Sequence, residues 1–312
     1  MKILFICSGK DNGTISPVIE NQISILKKYN QTINVYTIEK KGLKGYLQSI
    51  IPLRKKIMQT QYDVLHSHYL FCGIVAFFSS PNANHVLSIM GSDIYAKYYY
   101  KYIIRLLSFF NNKIIFKSEK MKIIAKIEKS SILPNGIDLS LFKPISQKKS
   151  IKHLGWKKDE ENKIKFVLFA SDSDRLEKNF HLAKEACIYI NEIQKDYYFD
   201  LKSIGKVKHQ DMPTYFNAAD ILLLTSQYEG SPNVIKEAMA CNTSIVTTDV
   251  GDVREILKGT NNCIVSNMNK ESIGKAILKV ANSFDVCNAR KRIRHLKLDD
   301  HSFFTQLISI YG

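Results

Sequence analysis

The chain has 312 residues, enough for two domains that each bury a core, and its composition of 45% hydrophobic and 24% charged residues is that of a globular protein. The net charge of +16 is concentrated in residues 1–150, where 22 Lys+Arg face 8 Asp+Glu, so a polyanionic partner is expected to meet that half. The longest uncharged apolar run, Tyr69 to Phe78, is half of what a membrane span needs, no secretion signal is expected, and six cysteines without close pairs argue against a zinc site or a disulfide framework and for reduced thiols in a cytosol.

Lys2–Ile6 predicts a short buried strand, followed by a loop with Gly9 and Gly13 and a helix from about Ser16 to Lys28. A strand, a glycine-containing loop and a helix form the opening unit of a Rossmann-like domain, although two glycines at this spacing are not the dinucleotide fingerprint. Strands at Ile33–Ile38, Asp63–His66, Val86–Ile89, Lys113–Phe116 and Ser131–Leu133 alternate with helical segments near Gly45–Thr60, Leu70–Phe78, Lys97–Phe110 and Glu119–Lys129. Such alternation predicts a parallel sheet covered on both faces. His68 follows the third strand at its carboxyl end, where ligands of open α/β sheets lie.

Lys97, Lys101 and Arg105 recur every four residues beside Tyr98, Tyr99, Tyr100 and Tyr102, which predicts a basic stripe on one helix face, suited to reversible contact with an anionic membrane. A turn at Leu133–Asp138 closes the first domain, and polar residues 145–162 read as a linker. The second domain opens with the strand Ile164–Ala170, a loop carrying Arg175 and Lys178, and a helix with apolar positions at Ala183, Ala186, Cys187, Ile190 and Ile193. Tyr198–Ile204, Ile221–Leu224, Ser244–Thr248 and Cys263–Val265 read as further strands, and Asn288 to Ile310 as one helix.

The chemistry is expected between Ser226 and Glu255, in SQYEGSPNVIKEAMACNTSIVTTDVGDVRE. Ser231-Pro232 supplies a helix start, with a hydroxyl N-cap and proline at the first helical position, and the helix is predicted from about Pro232 to Ala240. The free backbone N–H groups of a helix's first turn, the positive end of the helix dipole and the close backbone approach that Gly230 allows suit an anion such as a phosphate. Glu229 and Glu237 bracket this terminus. Carboxylates repel phosphate and accept hydrogen bonds from hydroxyl groups, so the implied ligand is anionic at its centre and hydroxyl-rich on both sides, as a nucleotide-sugar is.

This stretch, with its Glu-Gly pair and its Glu-Ala-Met-Ala segment, resembles the signature of retaining glycosyltransferases of family 4. It departs at Asn242 where a glycine is usual, at Ser244 where a proline is usual, and at Asp252 in place of a second glycine after Gly251. The resemblance implies an α/β fold of two Rossmann-like domains facing a cleft (GT-B), with Glu229 on the donor sugar and Glu237 on the ribose. It also implies that Arg175 and Lys178 neutralise the leaving diphosphate, that Val207 lines the base pocket, and that Gly13 and His68 face the cleft. Gly230, Ser231, Pro232, Asn233 and Val234 would hold the diphosphate. Val86 to Asp93 resembles a family segment in which a histidine precedes Gly-Ser-Asp; here Met90 stands in that place, and Asp93 falls on the acceptor side.

The expected organisation is an N-terminal domain over residues 1–145, with the C-terminal helix of about 297–312 packing back on it, and a nucleotide-sugar-binding domain over 146–296. The expected activity is retaining, metal-independent transfer of a sugar from a nucleotide-sugar donor to a glycan or lipid-linked acceptor in surface-glycan assembly, without a further cofactor. The expected place is the cytoplasm, with peripheral contact at the inner membrane face. A nucleotide-sugar epimerase, a phosphorylase and a non-catalytic donor-binding relative stay open as alternatives, whereas no nucleic-acid motif supports a nucleic-acid partner.

Overall fold

The computed structural model describes residues 1–9, 14–40, 42–110, 113–157, 163–205 and 207–312. They form two compact units, Met1–Gly136 with Asp300–Gly312, and Ile137–Asp299.

The sheet of the first unit contains β1 (Lys2–Ser8), β2 (Thr32–Ile38), β3 (Val64–His68), β4 (His85–Ser88), β5 (Lys113–Phe116) and β6 (Ser131–Ile132), in the order β2-β1-β3-β4-β5-β6. All pairings are parallel. Ile3, Phe5 and Cys7 of β1 enter one core layer while Leu4 and Ile6 enter the layer on the other face. A strand whose successive side chains point to opposite faces, both buried, must be apolar throughout, and this is why β1 reads as a continuous hydrophobic run.

The second sheet contains β7 (Ile164–Phe169), β8 (Tyr198–Ser203), β9 (Ile221–Leu224), β10 (Ser244–Thr248) and β11 (Cys263–Ser266), in the order β11-β10-β9-β7-β8, again parallel. β9 repeats the logic of β1: Leu222 and Leu224 pack into one layer, Ile221 and Leu223 into the other.

Three expectations are corrected here. The boundary expected at residue 145 lies at Gly136, because Ile137 and Phe142 are buried in the core of the second unit. The Arg290 guanidinium fixes that segment by donating to the carbonyls of Leu139 at 2.7 Å and Ala240 at 2.6 Å, as well as to that of Phe142. The polar stretch expected as a linker contains the helix Gln147–Leu154, whose Ile151 packs on Phe166 and Ala218. The single helix expected from Asn288 is two, Ala289–His295 and Asp300–Tyr311. Between them Lys297 takes a positive φ of 55°, Leu298 is buried in the second unit, and its carbonyl accepts the Ile137 N–H at 2.9 Å. The two points where the chain changes unit are therefore neighbours.

The helix Asp300–Tyr311 belongs to the first unit, where Phe303, Leu307 and Tyr311 occupy the same core layer as Ile3 and Phe5. Their spacing of four places them on one stripe of the helix.

Candidate active site

In an open parallel sheet, the loops at the carboxyl ends of two adjacent strands diverge where the strand order reverses, leaving a crevice for a ligand. In the second unit that point lies between β7 and β9, which are paired although β8 intervenes in sequence. The loop after β9 is tied to the loop after β7 by three hydrogen bonds. The Thr225 hydroxyl reaches the carbonyls of Lys178 at 3.0 Å and Asn179 at 2.9 Å, and the Gln227 N–H donates to the Glu177 carbonyl at 2.9 Å. The bonds at Thr225 and Gln227 hold Lys178 and Glu229 in mutual register.

Lys178 closes the short 3-10 turn Leu176–Lys178, and Asn179, with φ 54°, bends the chain into the helix Phe180–Ile193. Its Nζ lies 2.5 Å from Glu229 Oε1, which also accepts from the Ser226 hydroxyl at 2.9 Å. The two side chains are 13% and 17% exposed, buried enough to strengthen their attraction and open enough to meet a ligand. The structure does not join Arg175 to them. Its side chain is 55% exposed and its guanidinium pairs with Glu177, through Nε at 2.8 Å and a terminal nitrogen at 2.6 Å.

The helix of the motif runs Asn233–Cys241, and its N-cap is Pro232, not Ser231. Proline lacks a side-chain oxygen, so no side chain caps the first turn, and the Ser231 hydroxyl is enclosed without a hydrogen-bond partner among the described residues. Gly251, at φ 56°, packs so closely on the motif that a Cβ there would stand 2.7 Å from the Gly230 carbonyl oxygen. At the other end Asn242 adopts φ 57°, a left-handed conformation that asparagine tolerates, which accounts for the missing glycine.

Glu237 is buried on this helix, and its Oε1 lies 2.9 Å from His209 Nε2, whose ring packs on Phe142 at 5.1 Å. His209 was not among the residues singled out from sequence, because 28 positions separate it from Glu237. Val207 follows β8 in a tight turn, its N–H donating to the Gly205 carbonyl at 2.9 Å. Val234 packs at the margin of the core.

In the first unit, Gly13 lies outside the described residues. His68 is fully buried, stacked on His66 at 4.3 Å and close to Phe5, and neither ring nitrogen has a hydrogen-bond partner among the described residues. Burial first, and the Lys117 charge second, hold its pKa well below the ordinary histidine value, so the ring is neutral. An enclosed ring does not meet substrate as placed, a correction to its expected catalytic contact. Asp93 is buried too, and burial raises its carboxyl to about 6. Its Oδ2 accepts the Met90 N–H at 2.8 Å, closing the start of the short helix Gly91–Tyr95 instead of standing open to an acceptor.

The basic stripe is likewise rearranged, because the helix is Tyr100–Ser108 and Lys97 precedes it. Ile104 and Leu107 turn inward, whereas Tyr102, Leu106 and Phe109 are exposed. Lys101 Nζ and Arg105 Cζ lie 5.3 and 5.2 Å from the centre of the Tyr102 ring.

A family model described as glycosyl transferases group 1 matches residues 156–283, and one described as glycosyl transferase 4-like matches residues 14–118. The UDP-Gal:alpha-D-GlcNAc-diphosphoundecaprenol alpha-1,3-galactosyltransferase of Escherichia coli is 23% identical over 71% of this chain, and the chain spans 64% of that protein's length. The capsular polysaccharide biosynthesis glycosyltransferase CapM of Staphylococcus aureus is 22% identical over 95% of this chain and 93% of its own. The crystal structure of Anabaena HepE in complex with UDP and glucose superposes with a TM-score of 0.74 at 17% identity, covering 99% of this chain and 98% of that one. With glycosyltransferase models matching both halves and the fold shared along the whole length, the chain is a glycosyltransferase of the GT-B architecture.

Proposed function

We propose that the protein is a retaining enzyme that moves a sugar from a nucleotide-sugar to a hydroxyl of a lipid-linked or surface-glycan precursor. The observation that carries this reading is the Lys178–Glu229 pair at the switch point of the second sheet, beside a helix start that no side chain caps. Donor diphosphate sits against the N–H groups of Asn233 and Val234, where the helix dipole favours negative charge. Lys178 exchanges part of its contact with Glu229 for the diphosphate as the leaving group gains charge, and Glu229 accepts a hydrogen bond from a donor-sugar hydroxyl. Glu237, oriented by His209, accepts from the ribose hydroxyls.

Retention follows if the acceptor hydroxyl attacks from the face the diphosphate leaves and gives its proton to a departing phosphate oxygen. In this reading Asp93 acts on the acceptor side only through the turn it fixes at Met90. A UDP-sugar is the first donor to test, because HepE binds UDP and the Escherichia coli relative is named for UDP-galactose. The second name also supports a polyprenyl-diphosphate-linked sugar as acceptor.

No helix among the described residues is long and apolar enough to cross a membrane. Such an acceptor is reached if Tyr102, Leu106 and Phe109 enter the lipid boundary while Lys101 and Arg105 meet anionic headgroups. The decisive assay incubates the protein with UDP-sugars and a lipid-linked acceptor and reads the product's anomeric configuration by NMR. Acceptor-dependent transfer with a retained configuration is expected; an inverted product, or turnover that needs no acceptor, overturns the reading.

A further inference from the structure

Two cysteines 24 positions apart in the chain meet in the second unit, Cys263 at the start of β11 and Cys287 just before the helix Ala289–His295, with their sulfurs 3.8 Å apart. The backbone that carries them is tied together beside the sulfurs. The Asn261 N–H donates to Asn288 Oδ1 at 2.9 Å, and Asn262 Nδ2 donates to the Asp285 carbonyl at 2.5 Å. The sulfurs of a disulfide are about 2.0 Å apart, so this pair has to close by about 1.8 Å, within reach of turning the two side chains about their Cα–Cβ bonds.

Exposure separates the two roles. Cys263 is half-buried, whereas Cys287 is only 4% exposed and shares a core layer with Ala289 and Ile293. Cys7, Cys72, Cys187 and Cys241 are buried as well, so an oxidant from solvent meets Cys263 first. We propose that Cys263 and Cys287 are a reversible oxidation site, in which Cys263 takes up a peroxide and Cys287 resolves the product to a disulfide that clamps the helix Ala289–His295 to β11. With hydrogen peroxide, the Cys263 sulfur attacks one oxygen, the O–O bond breaks, and the departing oxygen leaves as water with the thiol proton. The Cys287 sulfur then attacks the sulfenic sulfur. The S–O bond breaks as the S–S bond forms, and the hydroxyl leaves with the Cys287 proton as a second water. Two thiols and one hydrogen peroxide thus give one disulfide and two waters, and a thiol reductant restores the pair.

The clamp acts on a segment that already holds the motif helix. The Arg290 N–H donates to Asn242 Oδ1 at 2.9 Å and its guanidinium to the Ala240 carbonyl at 2.6 Å, both at the carboxyl end of that helix. A cross-link at Cys287 fixes the start of the helix that carries Arg290 and closes a loop containing Lys270–Ala281, which constrains the unfolded chain.

The test treats the full reduced chain with excess hydrogen peroxide, blocks the remaining thiols with N-ethylmaleimide and maps the peptides by mass spectrometry without reductant, alongside Cys263→Ser and Cys287→Ser. A linked peptide joining Cys263 to Cys287, removed by dithiothreitol, is expected in the wild type. The Tm of the oxidised wild type should exceed that of the reduced protein by at least about 5 °C, with no such rise in either variant. In Cys287→Ser the unresolved Cys263 should accumulate sulfinic and sulfonic acid well beyond the wild-type level. Thiols that both still take maleimide after peroxide overturn the proposal. So does a disulfide to another cysteine or to a second copy, or over-oxidation of Cys263 that is the same with and without Cys287. An unchanged or lowered Tm in chains shown to carry the link overturns the clamp. The wild-type peptide map needs neither variant, so it decides the cross-link even where Cys287→Ser fails to fold.

Discussion

The Lys178 ammonium and Glu229 Oε1 lie 2.5 Å apart, and the loops that carry them are tied through the Thr225 hydroxyl and the Gln227 N–H. An ion pair that is mostly shielded from water, at the carboxyl ends of two paired strands, keeps a cation and a carboxylate ready for a ligand that offers an anion to one and a hydroxyl to the other. Lys178→Ala and Glu229→Ala are each expected to lower kcat at least about a hundredfold while the circular dichroism spectrum stays native. Near-wild-type turnover in either variant would refute the assignment.

Glu237 answers to a different readout. In the proposed reading Glu237, held 2.9 Å from His209, meets the ribose, so its contribution is to binding rather than to the departing charge. Glu237→Ala is expected to weaken UDP about ten- to a hundredfold, the loss of hydrogen bonds to a charged group, with a smaller effect on kcat at saturating donor. His209→Ala should move the donor KM in the same direction by less. Unchanged nucleotide affinity in Glu237→Ala would remove the ribose role.

What was legible in the sequence is what local patterning encodes. Apolar runs such as Ile3–Cys7 and Ile221–Leu224 have one reading, because a strand buried on both faces admits no polar position. The strand, turn and helix that carry Glu229, Gly230 and Glu237 were readable because they follow one another directly in the chain. His209 and Thr225 were not, since their partners are 28 and 47 residues away and only the fold makes them neighbours. The full burial of Lys236 on the motif helix has no local signal, because a lysine among helix residues marks a solvated face by default. The helix Lys270–Ala281 was missed although its signal was present, an Asn269 cap accepting from the Ser272 N–H at 2.8 Å and an inward stripe of Ile273, Ala276, Ile277 and Val280.

The stacked histidines of β3 make stability pH-dependent in a stated direction. His66 and His68 are fully buried, and burial, joined by the Lys117 charge and for His66 also by the neighbouring ring, holds both well below the usual histidine pKa of 6.5. The unfolded chain then binds protons that the native state refuses, so the stabilisation is complete above 6.5 and is lost as the pH falls below it. With two such groups, the unfolding free energy should drop by up to about 2.7 kcal/mol per pH unit in that range. His68→Phe is expected to halve this slope in urea titrations between pH 5 and pH 7, because its ring nitrogens have no hydrogen-bond partner among the described residues to lose. An unchanged slope would mean that His68 titrates normally.

Tyr311 at the end of the chain is joined to the centre of the first sheet. Its hydroxyl lies 2.7 Å from His66 Nδ1, and its carbonyl accepts from Asn84 Nδ2 and Lys113 Nζ, both at 2.9 Å. The other end of the same helix is held by an ion pair of 2.5 Å between Asp300 and Lys28, where a carboxylate also meets the positive end of the helix dipole. The exposed Lys28 screens that contact, so the buried tyrosine dominates. Tyr311→Phe keeps the packing and removes one hydroxyl, leaving His66 Nδ1 enclosed without a partner. The expected cost is about 1–3 kcal/mol, against at most about 1 kcal/mol for Lys28→Ala. Hydrogen exchange localises the effect: amides of Asp300–Tyr311 should lose protection in Tyr311→Phe before those of β1 do, whereas equal protection in variant and wild type would show that apolar packing of Phe303 and Leu307 alone holds the helix.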